Sequence, residues 1–359
     1  MSAFLETLEK RTAAPTAETH PAWLALTDEE RRWFLPVEAL NELKAMLPDL
    51  QECAMPAASQ EDWNAALLAR RPEILITSWN AAKWPLPMEL MQPPHGLQYV
   101  CHIGGSVRSL VPRAMLAAGL RVTNWGYATC PVVAECVLLL ILSALRRATF
   151  YNLEMHRPEA DGWQGSRCDQ ELCRSLHGRQ VGLHGFGGVA QALVPMLRPF
   201  TKHIQSYAPG VPGALLARLG VSRCSSLDEL FTTSEVVVEL SGAPPASRHV
   251  ITEELLRKLP PDAVFINSAR GMLVDESALI RVASEGRIQV ALDVYEREPL
   301  PLDSPLRHLS NVTLLPHVAG PTYDRRRDCG ALAVTNVRRY LQGEPLDSEI
   351  TLEVYDRST

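Results

Sequence analysis

Val181-Gly182-Leu183-His184-Gly185-Phe186-Gly187-Gly188-Val189-Ala190 passes from one apolar stretch to another through closely spaced glycines. The pattern predicts a strand that turns sharply into a helix. Gly185 and Gly187 permit the tight turn and let backbone come close to a ligand. The helix start then offers free N–H groups and a positive dipole end to an anion such as a pyrophosphate. Ala190 holds the third position of G-x-G-x-x-G/A, where a small side chain lets helix and strand pack together. An ordinary turn between strand and helix can carry the same glycines, so the weight of this stretch comes from its surroundings.

Those surroundings alternate strands and helices. Downstream, strands are predicted over Gln180–Leu183, His203–Tyr207, Glu235–Leu240, Ala263–Asn267, Gln289–Val294 and Val312–Leu315. Helices are expected over Val189–Leu197, Leu227–Thr232, Glu253–Leu259 and Glu276–Ala283, and a last one over Tyr323–Leu341 stops near Gly343. Upstream, strands are expected over Arg32–Leu35, Gln51–Met55, Glu73–Ser78, Gln98–Ile103 and Arg121–Asn124, with helices over Val37–Leu47 and Asp62–Arg70. Ser59 is a candidate cap for the second of these helices. The first 25 residues are too mixed to assign. This rhythm predicts an α/β protein with two doubly wound parallel-sheet domains. Pro131–Tyr151 reads as one long helix, apolar nearly all round, which must bury most faces between domains or subunits.

Bulk properties exclude several classes. Apolar residues make up 46% of the 359 residues and charged residues 21%, a globular balance. A net charge of −6 without a basic stripe gives no footprint for nucleic acid. Arg325-Arg326-Arg327 is read as a solvated face. Met1–Arg11 lacks the apolar core of a signal peptide, and Val137–Leu145 is about half a bilayer span. Eight cysteines are scattered without a C-x-x-C pair. They are expected to be reduced thiols in a cytoplasmic protein with no metal site and no membrane partner.

A dinucleotide-binding sheet usually carries an acid about 20 residues past the glycines, where it accepts from the ribose hydroxyls. Here the strand ends at Tyr207 and Ala208 follows. The lost contact would contribute roughly 1.5–3 kcal/mol. Its loss also removes the repulsion against a 2′-phosphate, yet no Arg follows at once; Arg218 is the nearest downstream. The choice between NAD(H) and NADP(H) stays open.

Three chemically capable residues lie just past strand ends, which face the ligand crevice in an open α/β sheet. Arg270 follows Val264–Ala269, Glu298 follows Ala291–Tyr295, and His317 follows Thr313–Pro316. Arg can fork onto a carboxylate and polarise the adjoining carbonyl. His can give the proton that a carbonyl oxygen needs when hydride reaches its carbon, and a neighbouring Glu can fix its ring. Each residue alone is more often a surface Arg, a turn acid or a capping His. Their shared position downstream of one glycine loop distinguishes them.

Ile266-Asn267-Ser268-Ala269-Arg270-Gly271, Ala291–Leu300 and Leu314-Leu315-Pro316-His317-Val318-Ala319-Gly320 resemble, in order, the arginine, glutamate and histidine signatures of the D-isomer-specific 2-hydroxyacid dehydrogenases. The resemblance covers about residues 95–345. It implies a Rossmann cofactor domain (126–321) inserted into a flavodoxin-like substrate domain (1–125 and 322–359). It implies hydride transfer between NAD(P)H and a small 2-oxo or D-2-hydroxy acid. His317 would be the acid/base, Glu298 its partner, Arg270 the substrate anchor, and Asp293 the holder of the nicotinamide carboxamide. Gly185, Phe186, Gly187, Gly188, Val189, Leu240, Ser268, Ala269, Arg270, His317 and Gly320 would complete the cofactor contacts. Gly104, Gly105 and Ser106 fall where the family holds the substrate carboxylate with backbone N–H groups. Arg108 stands where an Asp is usual and could add an anion contact or pair with a surface acid. Gly188 replaces a residue that is often basic. The family pairs through its cofactor domains, so a homodimer is expected. The alternative is a dinucleotide-sensing protein that keeps the fold. A formate-oxidising relative would carry an amide where Glu298 stands.

Overall fold

The computed structural model describes residues 20–53, 58–93, 96–157 and 172–357. Most of the unassigned amino-terminal stretch, the far end of the strand expected over Gln51–Met55, and Cys168 lie outside them. Chain contacts divide the protein into two units.

The first unit runs to Trp125 and takes in Cys329–Leu352. Its parallel sheet has the order β2-β1-β3-β4-β5, with β1 Ala22–Ala25, β2 Leu50–Glu52, β3 Ile74–Thr77, β4 Tyr99–His102 and β5 Arg121–Thr123. This is the flavodoxin-like order. β1, the sheet's second strand in space, lies in the stretch left unassigned. Its Ala-Trp-Leu-Ala is buried on both faces and reads as a continuous apolar run, as covered parallel strands do. The strand expected over Arg32–Leu35 is instead the end of a helix, Asp28–Phe34. Thr27 Oγ1 accepts from Glu30 N at 3.1 Å and Glu30 Oε2 accepts from Thr27 N at 2.9 Å, a reciprocal cap that decides the helix. Ser59 caps the helix Gln60–Arg70, as the sequence suggests.

This sheet is completed by residues from the far end of the chain. The helix Arg326–Leu341 lays Gly330 against the Phe34 carbonyl so closely that a methyl would collide with it. Tyr340 stacks on Tyr99 with ring centroids 4.8 Å apart and donates to Glu73 at 2.9 Å. Glu349 forks onto Arg121 at 2.8 and 2.9 Å.

The second unit comprises Gly126–Asp328 and the chain from Glu353. Its parallel sheet has seven strands in the order β12-β11-β10-β9-β6-β7-β8. They are β6 Val181–His184, β7 Ile204–Tyr207, β8 Ser222–Arg223, β9 Val236–Glu239, β10 Val264–Asn267, β11 Gln289–Leu292 and β12 Val312–Leu314. Counted within the unit this is 3-2-1-4-5-6-7, the dinucleotide-binding order with one further strand. The switch point lies between β6 and β9, where the glycine loop leaves the sheet. β8 went unpredicted because it is two exposed polar residues at an edge.

The long apolar helix breaks in two. Cys130–Leu145 ends where Arg147 turns left-handed (φ 51°), and Ala148–Met155 continues in a new direction. By length and hydropathy alone, the 20 residues Gly126–Leu145 would cross a membrane. Ala134, Val137, Leu140, Ile141, Ala144 and Leu145 are instead buried against Leu193 and Leu197 and the sheet face carrying Val181 and Val236. The return to the first unit, placed after 321 from sequence, follows Asp328. The terminal helix Leu352–Arg357, expected in the first unit, groups with the second. The reason is contact: the Arg357 carbonyl lies where a methyl on Gly242 would stand.

Candidate active site

The glycine loop is built by contacts that only glycine allows. Gly185 has φ 89°, and a Cβ there would sit 2.7 Å from Ser241 Cα and 2.9 Å from the Leu240 carbonyl. The turn after β6 is thereby pressed against the end of β9. Gly187 caps the helix Gly188–Leu197 with no side chain and open space beside it, so the helix's first N–H groups are not covered. A Cβ on Gly188 would lie 2.6 Å from both Tyr127 Cδ1 and Cys130 Sγ, which accounts for the missing basic residue. Phe186 and Ala190 are buried in the core and Val189 packs against it. These features fit a pyrophosphate held by backbone.

Arg270, Glu298 and His317 come from the ends of β10, β11 and β12. The Arg270 loop is shaped by Asn267, whose amide nitrogen donates to the Arg270 carbonyl (3.0 Å) while its oxygen accepts from Ala269 N (3.1 Å). Arg270 Nη1 donates to the Ala269 carbonyl at 2.7 Å. Burial holds this guanidinium below its usual pKa, and the Glu298 charge works the other way. Ser268 Oγ, next in this loop, is buried with no partner among the described residues. Gly271 touches the backbone of Tyr295 and Glu296 so closely that a methyl would overlap it, which locks the arginine and glutamate loops together.

Glu298 Oε1 accepts from Tyr295 N at 3.0 Å, and Oε2 lies 2.6 Å from His317 Nδ1. With the carboxylate as acceptor, Nδ1 carries the proton and Nε2 is left for a reacting group. His317 sits in a left-handed conformation (φ 55°) held from behind. Asp293, buried, accepts from Val318 N at 2.8 Å and Ala319 N at 3.0 Å, fixing the turn that ends at Gly320. Burial raises the Asp293 carboxyl above the usual range, and these two amides oppose the shift. Tyr295 donates from its hydroxyl to the Leu315 carbonyl at 2.7 Å. His317 and Glu298 form the polar wall of a cavity of about 600 Å³, faced by Leu300, Leu315 and Arg307.

In the first unit, the loop after β4 is held by Asn124 and Trp125. Asn124 donates to the Gly105 carbonyl at 2.7 Å and Trp125 N to that of Gly104 at 3.0 Å. A Cβ on Gly105 would meet the Trp125 ring at 2.7 Å. Ser106 Oγ accepts from Arg108 N at 3.3 Å. Beneath Gly104 lies His102, buried, with neither ring nitrogen partnered among the described residues. Burial pushes its pKa down to about 4. The unfolded chain therefore binds a proton here between pH 6.5 and 4 that the folded chain refuses. This contribution to stability is complete above pH 6.5 and is lost as pH falls towards 4. On the order of 2 kcal/mol should be gone at pH 5. Six of the seven tryptophans belong to the first unit, so urea titrations followed by tryptophan fluorescence report on it. His102→Leu should flatten the loss between pH 7 and 5 by that amount. Equal losses in both proteins would clear His102.

One feature went unread in the sequence. His184, directly before Gly185, lies in register with Glu239 of β9 and Tyr207 of β7. Its Nδ1 is 2.5 Å from Glu239 Oε2, and its ring stacks on Tyr207 at 5.9 Å. Glu239 is fully buried and its other oxygen accepts from Ser241 N at 2.8 Å. A buried pair thus stands under the glycine loop. Its signal was a Glu closing the run Val236-Val237-Val238.

Residues 138–319, which carry the loop and all three strand-end residues, match the D-isomer specific 2-hydroxyacid dehydrogenase NAD binding domain. The chain belongs to the D-isomer-specific 2-hydroxyacid dehydrogenase family. The matched part of its second unit is that family's NAD-binding domain. The chain is similar to the D-3-phosphoglycerate dehydrogenase of Methanocaldococcus jannaschii, 28% identical over 265 residues, which cover 74% of this chain and 49% of that protein. It thus spans about half the length of that relative. It is 30% identical to 4-methyl-2-oxopentanoate reductase A of Aspergillus oryzae over 256 residues, 71% of this chain and 75% of that one. The fold resembles the D-mandelate dehydrogenase of Rhodotorula graminis, with a TM-score of 0.81 and 21% identity over 92% of this chain and 97% of the other. Both domains of the family fold are therefore present here.

Proposed function

We propose that this chain interconverts a small 2-oxo acid and its D-2-hydroxy acid with NAD(H) or NADP(H). The observation that carries the reading is the 2.6 Å contact between His317 Nδ1 and Glu298, which leaves Nε2 as the atom that exchanges a proton with the substrate. A bound nicotinamide dinucleotide supplies the hydride chemistry. Backbone N–H groups after Gly187 hold its pyrophosphate, with Phe186, Gly188 and Val189 shaping the loop and Leu240 lying across from it. Ser268, Ala269, Asp293 and Gly320 are assigned the nicotinamide side, Asp293 both by its own oxygens and by fixing the His317 turn.

His317 gives its proton to the carbonyl oxygen of the acid as negative charge develops there. Glu298 accepts from Nδ1–H throughout: it stabilises the imidazolium that gives the Nε2 proton in reduction, and holds the neutral tautomer whose free Nε2 takes the hydroxyl proton in the reverse direction. Arg270 forks onto the carboxylate and polarises the neighbouring carbonyl. The amides of Gly104, Gly105 and Ser106 are assigned the carboxylate, with Arg108 as a further cation for an acid that carries a second anionic group. The test is oxidation of NADH and NADPH against glyoxylate, hydroxypyruvate, pyruvate, 2-oxoglutarate and a branched 2-oxo acid. Dinucleotide binding without turnover of any acid would overturn the enzymatic reading and favour a sensing role.

We also propose a homodimer built on the second unit. The helix Cys130–Leu145 buries one face but leaves Leu139 56% exposed, and Leu153 and Met155 of the next helix are 58% and 53% exposed. Apolar groups this open on successive helices suit a shared interface. Sedimentation at micromolar concentration should give a dimer, and Leu139→Glu with Leu153→Glu should shift it to monomer. A wild-type monomer would end this proposal.

A further inference from the structure

We infer that Arg223 makes this protein select NADPH over NADH by receiving the 2′-phosphate of the adenosine ribose. The inference rests on the dinucleotide reading above and concerns only which dinucleotide is taken.

In a sheet of this order the ribose hydroxyls meet the end of the second strand, here β7. The residue that would decide selectivity there is Ala208, whose methyl neither binds a 2′-hydroxyl nor repels a phosphate. The loop that follows, Ala208-Pro209-Gly210-Val211-Pro212-Gly213, has no acid and no long side chain. The cation comes instead from the neighbouring strand. Arg223 of β8 is in register with Ser206 of β7. Its Nη1 donates to the Ala208 carbonyl at 3.5 Å, and its Nη2 donates to the Val211 carbonyl. Nη2 also lies 3.9 Å from where a Cβ on Gly213 would stand. The guanidinium thus spans the loop that succeeds β7.

Two facts point to an anion. Both partners of Arg223 are neutral carbonyls, and among the described residues no carboxylate pairs with it, so its charge is not neutralised at the loop. Arg223 is also exposed, with two of its five N–H donors used, so three remain for a ligand. A phosphate monoester carries about −1.5 to −2 charges and fits the guanidinium fork. The two backbone bonds hold the fork at the loop before any ligand arrives, which lowers the ordering cost of binding.

Calorimetry on the full chain should show NADPH binding about 10- to 100-fold more tightly than NADH in dilute salt, the range a charge-assisted contact supplies. The fragment 2′,5′-ADP should bind where 5′-AMP does not, and added salt should narrow the gap. Arg223→Ala should weaken NADPH and 2′,5′-ADP by that factor and leave NADH unchanged. Tighter binding of NADH by the wild type, or a preference for NADPH that survives Arg223→Ala, would overturn the inference while leaving the dehydrogenase reading intact. Binding of neither dinucleotide would overturn both.

Discussion

His317→Ala is expected to lower turnover of any accepted 2-oxo acid by about 10²- to 10⁴-fold, the usual contribution of a positioned proton donor. Dinucleotide affinity, measured by fluorescence titration, should fall far less than turnover, because His317 is one cofactor contact among many and the glycine loop and the Asp293-held turn do not depend on the imidazole. The effect should fall on kcat, since the proton is needed as charge develops and not when the acid binds. Glu298→Gln tests the orienting role separately. Its amide can still fill the space beside Nδ1 but can present an N–H instead of an acceptor, which favours the wrong tautomer. A smaller loss than with His317→Ala, and a changed pH profile, are expected. Full turnover in His317→Ala would remove the mechanism proposed here, whatever the cofactor.

The second large effect is on stability. His184→Leu should destabilise the second unit by about 3–5 kcal/mol, the cost of leaving one member of a buried pair without its partner. Glu239 is fully buried, and among the described residues His184 is its only side-chain partner, so nothing else there takes over at Oε2. The double replacement His184→Leu with Glu239→Leu should recover most of the loss, because an apolar pair of similar volume needs no compensation. Circular dichroism melts of the three variants read this directly. A single variant as stable as the double one would show that the pair carries no such coupling.

The parts of this protein that chemistry constrains were legible as sequence. A tight turn from strand to helix needs its glycines, and Gly185 is held at φ 89° against the end of β9, the turn the motif predicts. Arg270, Glu298 and His317 stand at three adjacent strand ends because the order β10-β11-β12 follows the chain order. Other features were written in the sequence but misread. Thr27-x-x-Glu30 is a capping box, and it outweighs the short apolar segment at Arg32–Leu35 that reads as a strand. β1 was missed because a strand buried on both faces shows no alternation. The remainder has no local signal. Arg147 turns left-handed at the foot of an apolar helix with no glycine to mark it, β8 is too short to pattern, and the meeting of His184 with Glu239 depends on strand register across 55 positions of chain.

The first unit borrows its last helix from the far side of the second. Gly330 under the Phe34 carbonyl, Tyr340 on Tyr99 and Glu349 on Arg121 are all supplied after Gly126–Asp328 has been made. At about 5–20 residues per second, those roughly 200 residues take about 10–40 s to synthesise. During that interval the nascent sheet carrying Tyr99 and Arg121 has emerged but cannot close its core, whereas nearly all of the second unit is contiguous and can fold as it appears. The order of birth is thus reversed in the order of completion: the domain translated first is finished last. Its exposed apolar face is then the stage of biogenesis at which a holdase would have something to bind.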